Sequence, residues 1–320
     1  MIEVRAHGRI NLIGDHTDYS GGFVLPMLID PYTTIVGEFT DGDHWSLASD
    51  DEPDAVEVDT TIDDPASVRP VWGRYVAGVL HQIRALGLSP RGFRGRVSTS
   101  LPIGSGLSSS AALEVAVARV ALTGVAELSD VEVATLCQSA ERIASGVPCG
   151  IMDQLCIASG RPGEATLIDC EQLTIEHCPV PATVRFTYEF IAPRRLSGSE
   201  YATRVEESTR ASRIIGPLRE AKLDRLDDIT DPVVRRRARH VITENQRVLD
   251  FAHAMRIGDI ETMGRLMTES HRSMQHDYET SNELMDAAVE RLLDEPDVIG
   301  ARLTGGGFGG CVVALRRLDH

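Results

Sequence analysis

An alternating strand pattern over residues 92–100 runs into Leu101-Pro-Ile-Gly-Ser-Gly-Leu-Ser-Ser-Ser110 and then directly into an alanine-rich run from Ala111 to Thr123, closed by Gly124. Strand, glycine-serine loop and helix in immediate succession limit the chain to architectures that seat a loop at a helix N-terminus. Glycines at 104 and 106 remove Cβ atoms that would keep an anion at a distance. Serine hydroxyls can donate to such an anion, and the following helix offers unpaired N–H groups and the positive end of its dipole. Phosphate binding follows naturally. An ordinary capped helix after a turn uses the same residue types, so the local sequence leaves both readings open.

Charge narrows the ligand. Lys plus Arg is 32 against 48 Asp plus Glu, a net charge of −16 that repels nucleic-acid backbones and anionic lipid surfaces but not one local anion pocket. Ten of the acids fall between Asp41 and Ala66, a stretch with no Lys or Arg, where Val56 and Val58 alternate with Glu57 and Asp59 as on a half-buried strand. A solvated hairpin is expected there. Lys222 is the only lysine, and its context, Glu220-Ala-Lys-Leu-Asp224, fits neither a Walker A loop, nor a protein-kinase strand lysine, nor a Schiff base. The six cysteines form no Cys-x-x-Cys pair and no zinc spacing with the ten histidines. Reduced thiols, a charged N-terminal segment and the lack of 18 consecutive apolar residues lead to the expectation of a cytoplasmic protein without membrane spans.

At 320 residues the chain has room for about two domains. Its character changes after Asp169, from a strand-loop-helix pattern to short β-like pieces followed by longer helices, which places a boundary near residue 170 and gives domains 1–170 and 171–320. Val71, Tyr75, Val79 and Ile83 define one face of a helix between Pro70 and Gly87, and Ser129-x-x-Glu132 is a capping box that opens a helix to about Ala144. A later helix runs from Asp231 at the N-cap and Pro232 to Gly258. Its positions 234, 238, 241, 245, 248, 252 and 255 form a face on which only Asn245 is polar.

Three further segments carry chemistry. Gly8-Arg-Ile-Asn-Leu-Ile-Gly-Asp-His-Thr-Asp-Tyr19 concentrates Arg9, Asn11, Asp15, His16 and Asp18 around a glycine, which suits a polyhydroxylated ligand or, equally, a loop held by Asx-type bonds. Gly146-Val-Pro-Cys-Gly-Ile-Met-Asp-Gln154 sets Asp153 in apolar surroundings, as a general base oriented by an arginine or as a helix-capping acid. Leu303-Thr-Gly-Gly-Gly-Phe-Gly-Gly-Cys311 contains a formal Gly-x-Gly-x-x-Gly, but only ten residues follow Gly310. A dinucleotide fold fails on that length. What remains is a strand-loop-strand hairpin whose glycines admit another segment or a ligand.

Together these segments resemble the galactokinases of the GHMP family of small-molecule kinases. The resemblance rests on Gly8 to Tyr19, Leu101 to Ala111 and Leu303 to Cys311, in the family's order, and also on Val71-Trp-Gly-Arg-Tyr75, Cys149 to Gln154, Ser197-Gly-Ser-Glu-Tyr201 and Leu266 to Ser273. It implies an α+β fold of two domains, an N-terminal one with a mixed sheet and a C-terminal one with an antiparallel sheet, with the active site in the cleft between them. It also implies ATP-dependent phosphorylation of D-galactose at the anomeric hydroxyl, with Mg²⁺. Carried over by position, Asp153 is the catalytic base and Arg9 its electrostatic partner. Asp15, His16, Thr17, Asp18, Gly150 and Tyr201 contact the sugar. Gly104, Ser105, Gly106, Leu107, Ser108, Ser109 and Ser110 cradle phosphate, Trp72 and Tyr75 lie near the adenine, and Ser110 and Glu141 hold the metal. The expected partners are a monosaccharide and ATP, without nucleic acid, membrane or an obligatory protein. The family pattern has glutamate at the position of Asp15 and proline at that of His7. The shorter acid keeps other monosaccharides, L-arabinose or an N-acetylhexosamine, in view as substrates, and galactokinase-like sugar sensors are the non-catalytic alternative.

Overall fold

The computed structural model describes residues 1–193 and 198–318. The chain gathers into two compact units, one made of Met1–Arg9, Ile29–Ile103 and Ser108–Ser159, the other of Ile10–Leu28, Gly104–Leu107 and Gly160–His320. The units are therefore interleaved in sequence and do not follow a single cut in the chain. The N-terminal strand pairs with a neighbour that begins at Pro26, so residues 10–28 form an excursion counted with the later part of the chain.

In the first unit, β1 (Ile2–Asn11) pairs with β3 (Pro26–Thr40), the two being separated in sequence by the short β2 (Phe23–Val24). β4 (His44–Ser49) and β5 (Val56–Asp59) form an antiparallel hairpin from the acidic stretch. Val56 and Val58 are buried while Glu57 and Asp59 face water, and His44 bonds to both acids, so the expected solvated hairpin is present. β6 (Gly92–Thr99) pairs antiparallel with β3 and parallel with β4, which makes the sheet mixed. Four helices complete the unit: α1 (Gly73–Ala85), α2 (Ser109–Leu122), α3 (Asp130–Ser145) and α4 (Met152–Ser159).

Local rules explain these helices. α2 is alanine-rich and buried nearly all round. α3 opens on the full Ser129–Glu132 capping box and closes on Gly146, whose φ of 72° lies where glycine is favoured.

The second unit carries one set of short paired strands and a separate three-stranded sheet. β7 (Glu164–Asp169) pairs antiparallel with β2 and with β8 (Thr174–Pro179). β9 (Val184–Ala192), β10 (Val298–Thr304) and β11 (Gly310–Arg317) form an antiparallel sheet in the order β10-β11-β9. α5 (Gly198–Ile215), α6 (Pro232–Ile257), α7 (Ile260–Ser273) and α8 (Glu283–Leu293) are its helices. Met285, Val289 and Leu292 of α8 pack on Val298, Ala301, Leu303 and Val312 of the sheet.

The glycine segment after β10 is the expected hairpin, and the segment it admits is Thr280. Gly307 (φ 75°) lies so near that a Cβ there would sit 2.4 Å from the Thr280 carbonyl oxygen, and the Phe308 N–H donates to that oxygen at 2.7 Å.

α7 meets β10 backbone to backbone. A Cβ on Gly264 would lie 2.0 Å from the carbonyl oxygen of Ile299, and one on Gly300 would lie 2.5 Å from that of Gly264. Neither contact can relax by rotating a side chain. Gly264→Ala is expected to destabilise the second unit by about 1–3 kcal/mol or more, since forced overpacking costs about that much. The check is the denaturant midpoint, which should fall; a wild-type midpoint would show that the helix can lift from the strand without loss.

Candidate active site

The chain leaves β1 into a loop that returns at β2, and α6 holds that loop from one face. Glu244 is fully buried; its Oε1 accepts from the Gly14 N–H at 2.9 Å and from the Ser270 hydroxyl at 2.5 Å, and its Oε2 accepts from Arg247 at 2.7 Å. Burial alone would raise this carboxyl, but Arg247, His240 and Arg302, with the Ser270 bond, hold it down to about 2. One turn earlier, His240 reaches the Asp15 carbonyl at 3.1 Å and the Ser273 hydroxyl at 2.9 Å, and burial pushes its imidazole down to about 4. Asn245, the polar residue on the apolar face of α6, accepts from the Phe23 N–H at 2.8 Å and donates to its own helix at Val241.

Within this loop Asp15 is 1% exposed, with Oδ1 accepting from the Gly305 N–H at 2.9 Å and Oδ2 paired with the buried Arg302. His16 adopts φ 64° and contacts the Tyr19 hydroxyl at 3.0 Å and the Gly306 carbonyl at 3.2 Å. Thr17 is buried, its hydroxyl 2.8 Å from the Gly14 carbonyl and 2.7 Å from that of Phe23, and Asp18 opens a single 3₁₀ turn. Tyr201, on α5, lies 5.4 Å from the His16 ring and 5.7 Å from that of Tyr19. The structure therefore gathers Asp15, His16, Thr17 and Tyr201, and adds Tyr19, Tyr278 and Arg302, which the sequence reading had not assigned. Ser197 of the Ser-Gly-Ser-Glu-Tyr match lies outside the described residues.

A second cluster forms in the first unit. Arg9, 3% exposed, grips Asp153 with both arms, Nε to Oδ1 at 2.8 Å and Nη2 to Oδ2 at 2.7 Å. Asp153 stands in the first turn of α4, just after the buried Gly150. The Ser108 hydroxyl donates to Asp153 Oδ2 at 2.5 Å. Ser108 precedes α2 at φ 65° and does not cap that helix with its side chain, so the first N–H groups of α2 lack that partner. Ser109 is the first residue of α2; the preceding residues 104–107 are counted with the second unit, where Gly104 and Gly106 take positive φ, 75° and 84°, and Ser105 and Leu107 are buried.

Ser110 hydrogen-bonds the carboxyl of Glu141, which also bonds to Glu114. Burial raises both carboxyls, Glu114 well above the carboxylate range because Glu141 and Asp153 add like charge. Gln154 donates to Glu114 Oε2 at 3.1 Å. Among the described residues no three His, Cys, Asp or Glu side chains form a ready metal cage. Two protein oxygens with the remaining positions left to water and phosphate match the habits of Mg²⁺, so the donor set of Ser110 and Glu141 fits that ion. Trp72 bonds through its indole N–H to the Asp54 carbonyl at 3.2 Å, and Tyr75 is half-buried, its phenol pushed up by burial and by the charges of Glu141 and Glu114.

Three family models match the chain: the galactokinase galactose-binding signature over residues 2–39, the GHMP kinases N-terminal domain over 74–161 and the GHMP kinases C-terminal domain over 251–319. The human galactokinase is 40% identical, over 98% of this chain and 83% of that protein, and the Thermococcus kodakarensis galactokinase is 39% identical over 98% and 89%. The chain belongs to the galactokinase family. The crystal structure of Lactococcus lactis galactokinase complexed with galactose matches with a TM-score of 0.93 at 33% identity, covering 98% of this chain and 85% of that one. Methanococcus jannaschii mevalonate kinase, at 19% identity and a TM-score of 0.71 over 99% and 98%, shares the fold. The mixed-sheet and antiparallel-sheet halves are thus those of a GHMP kinase, an enzyme family that uses ATP.

Within this galactokinase frame, one missed residue had a visible signal. Glu114 is the only acid in an otherwise apolar run from Ala111 to Ala118. A helix apolar all round is buried, so a lone acid in it needs a partner.

His240 also makes a pH prediction. Its folded value of about 4 lies below the ordinary 6.5, so between those values the unfolded chain binds the extra proton and stability falls as pH drops through that window. A gap of that size corresponds to about 3 kcal/mol. His271, pushed down to about 4 by burial, acts with the same sign. The urea midpoint is expected to decline from pH 6.5 towards pH 4, and less steeply in His240→Gln. Equal slopes for the two proteins would remove His240 as a source of the decline.

Proposed function

We propose that this chain transfers the γ-phosphoryl group of ATP to the anomeric hydroxyl of D-galactose, giving galactose 1-phosphate and ADP. The observation that carries the reading is the two-armed Arg9–Asp153 pair at the start of α4. A carboxylate offers about four lone-pair directions. Arg9 and Ser108 take three on Asp153 among the described residues, which leaves a direction for the hydroxyl proton of a substrate. Asp153 acts as the base, and Arg9 fixes its orientation and offsets charge that develops during transfer.

The other roles follow the chemistry of each residue. Asp15, His16, Thr17, Asp18, Gly150 and Tyr201 form the sugar-binding set. Residues 104–110 cradle the nucleotide phosphates with backbone N–H groups and hydroxyls, and Trp72 and Tyr75 serve the adenine. Ser110 and Glu141 hold Mg²⁺, which supplies charge neutralisation on the phosphates when bound. Lys222 has no part in this scheme: arginine, backbone dipoles and the metal do what a phosphate-binding lysine does elsewhere.

No helix among the described residues is long and apolar enough to cross a membrane. We place the enzyme in the cytoplasm, acting without an obligatory protein partner.

A coupled ADP-release assay across monosaccharides tests the reading, with D-galactose expected as the best substrate. Preference for L-arabinose or an N-acetylhexosamine would overturn the substrate but leave the kinase standing, and no release with any sugar would leave a sugar sensor. In the same assay Asp153→Asn is expected to lower kcat by about 10² to 10⁴ while ATP affinity stays near wild type. A variant keeping more than a tenth of the turnover would exclude Asp153 as the base.

The metal assignment has its own test. Ser110→Ala and Glu141→Gln should each raise the Mg²⁺ concentration giving half-maximal activity, and unchanged titrations in both would rule the pair out.

A further inference from the structure

His16 cannot orient itself. Its φ of 64° lies in the left-handed region that non-glycine residues rarely adopt, so its neighbours must fix it. Both ring nitrogens have protein partners, and their chemistry sets the direction of every proton. The Gly306 carbonyl, 3.2 Å from Nε2, can only accept, so Nε2 carries hydrogen. In the neutral ring Nδ1 then accepts, and the Tyr19 hydroxyl at 3.0 Å donates to it. Having spent its proton, the Tyr19 oxygen accepts from the Tyr278 hydroxyl at 2.6 Å. Ser208 bonds to the Tyr278 oxygen in turn, and Ser20 lies 2.9 Å from Ser208.

Each hydroxyl proton is used once in a line running Ser20, Ser208, Tyr278, Tyr19, His16, Gly306. The reverse direction, with Tyr19 donating to Tyr278 and Tyr278 to Ser208 or to the Arg204 carbonyl at 3.5 Å, would have to start from Nδ1–H of His16 and, with Nε2 facing the Gly306 carbonyl, would need an imidazolium there. The rings are packed to match, His16 lying 4.8 Å from the Tyr278 ring, which is fully buried.

We propose that Tyr19 and Tyr278 are positioning residues that hold His16 as its Nε2–H tautomer and, through it, fix the Gly306 carbonyl and the glycine loop around it. The loop is pinned at successive residues. Asp15 holds the Gly305 N–H, His16 holds the Gly306 carbonyl, and Gly307 lies against Thr280. His16 therefore acts in the sugar-binding set through its ring and through the loop it places, with both nitrogens committed to the protein. This last step rests on the galactose-kinase reading above; the tautomer itself does not.

The experiment is a long-range ¹H–¹⁵N correlation spectrum of the full chain labelled at histidine nitrogens, with His16 assigned from its loss in His16→Gln. At pH 7.5, Nδ1 of His16 is expected to resonate as an unprotonated nitrogen and Nε2 as a protonated one. In Tyr19→Phe, Nδ1 loses its donor, the two resonances should move towards each other, and the KM for D-galactose should rise about tenfold while kcat changes less. Tyr278→Phe leaves the Tyr19 donor in place, so the tautomer should persist with a smaller rise in KM. A wild-type His16 protonated at Nδ1, or unchanged resonances in Tyr19→Phe, would overturn the proposal. If D-galactose is not the substrate the KM comparison is lost, but the nitrogen resonances still decide the tautomer.

Discussion

The bond from the Gly14 N–H to the buried carboxylate of Glu244 is the constraint on which the conformation of the second unit's signature loop rests. Between β1 and β2 the chain passes through positive φ at Gly14, His16 and Gly21, so it cannot satisfy its backbone with its own regular ladder. α6 supplies the missing partners. His240, Glu244 and Asn245 are spaced so that they fall on one side of a helix, and they engage the Asp15 carbonyl, the Gly14 N–H and the Phe23 N–H. A buried charge is tolerated only when paired, and Glu244 meets that condition with Arg247, Ser270 and the loop amide together. Removing any one of these donors would leave part of a carboxylate without compensation inside the unit.

In the first unit the same logic operates with different residues. Ser108 gives up capping α2 and donates to Asp153 instead, so one serine leaves a helix N-terminus open and orders an acid at the same time. Arg9 fixes both oxygens of that acid in a plane, which a lysine could not do because it offers a point charge and not a fork. The scarcity of lysine in this chain is thus compatible with phosphoryl transfer: the geometry that needs a cation uses the one that also fixes direction.

What could be read from the sequence was local. The Ser129 capping box, the acidic hairpin and the N-cap of α6 depend on residues within a few positions of one another, and all appear as expected. The glycine hairpin after β10 was legible for the same reason, although its neighbour Thr280 was not. Periodicity treats polar residues as solvent-facing, and so it passed over His240, Glu244 and Arg237, which are buried on α6 because distant loops and acids satisfy them. Asp15 was recognised by its motif, but its pairing with Arg302 spans most of the chain and has no local signature. The interleaving of the units has the same origin, since a strand's choice of partner is set by sheet pairing and not by proximity in sequence.

Asp15 and His16 show how a flexible-looking glycine segment becomes a rigid surface. Three glycines from 305 to 307 would be costly to order from their own conformational preferences. Two adjacent side chains of the signature loop hold two consecutive residues of the segment from opposite chemical ends, one accepting from an N–H and the other donating to a carbonyl. Because those side chains are themselves fixed, Asp15 by Arg302 and His16 by Tyr19, the order is set before any ligand arrives. A ligand meeting such a surface has only to displace water, without also supplying the free energy to arrange the loop. A motif whose polar atoms are already engaged within the protein thus acts by fixing where the neighbouring backbone groups point.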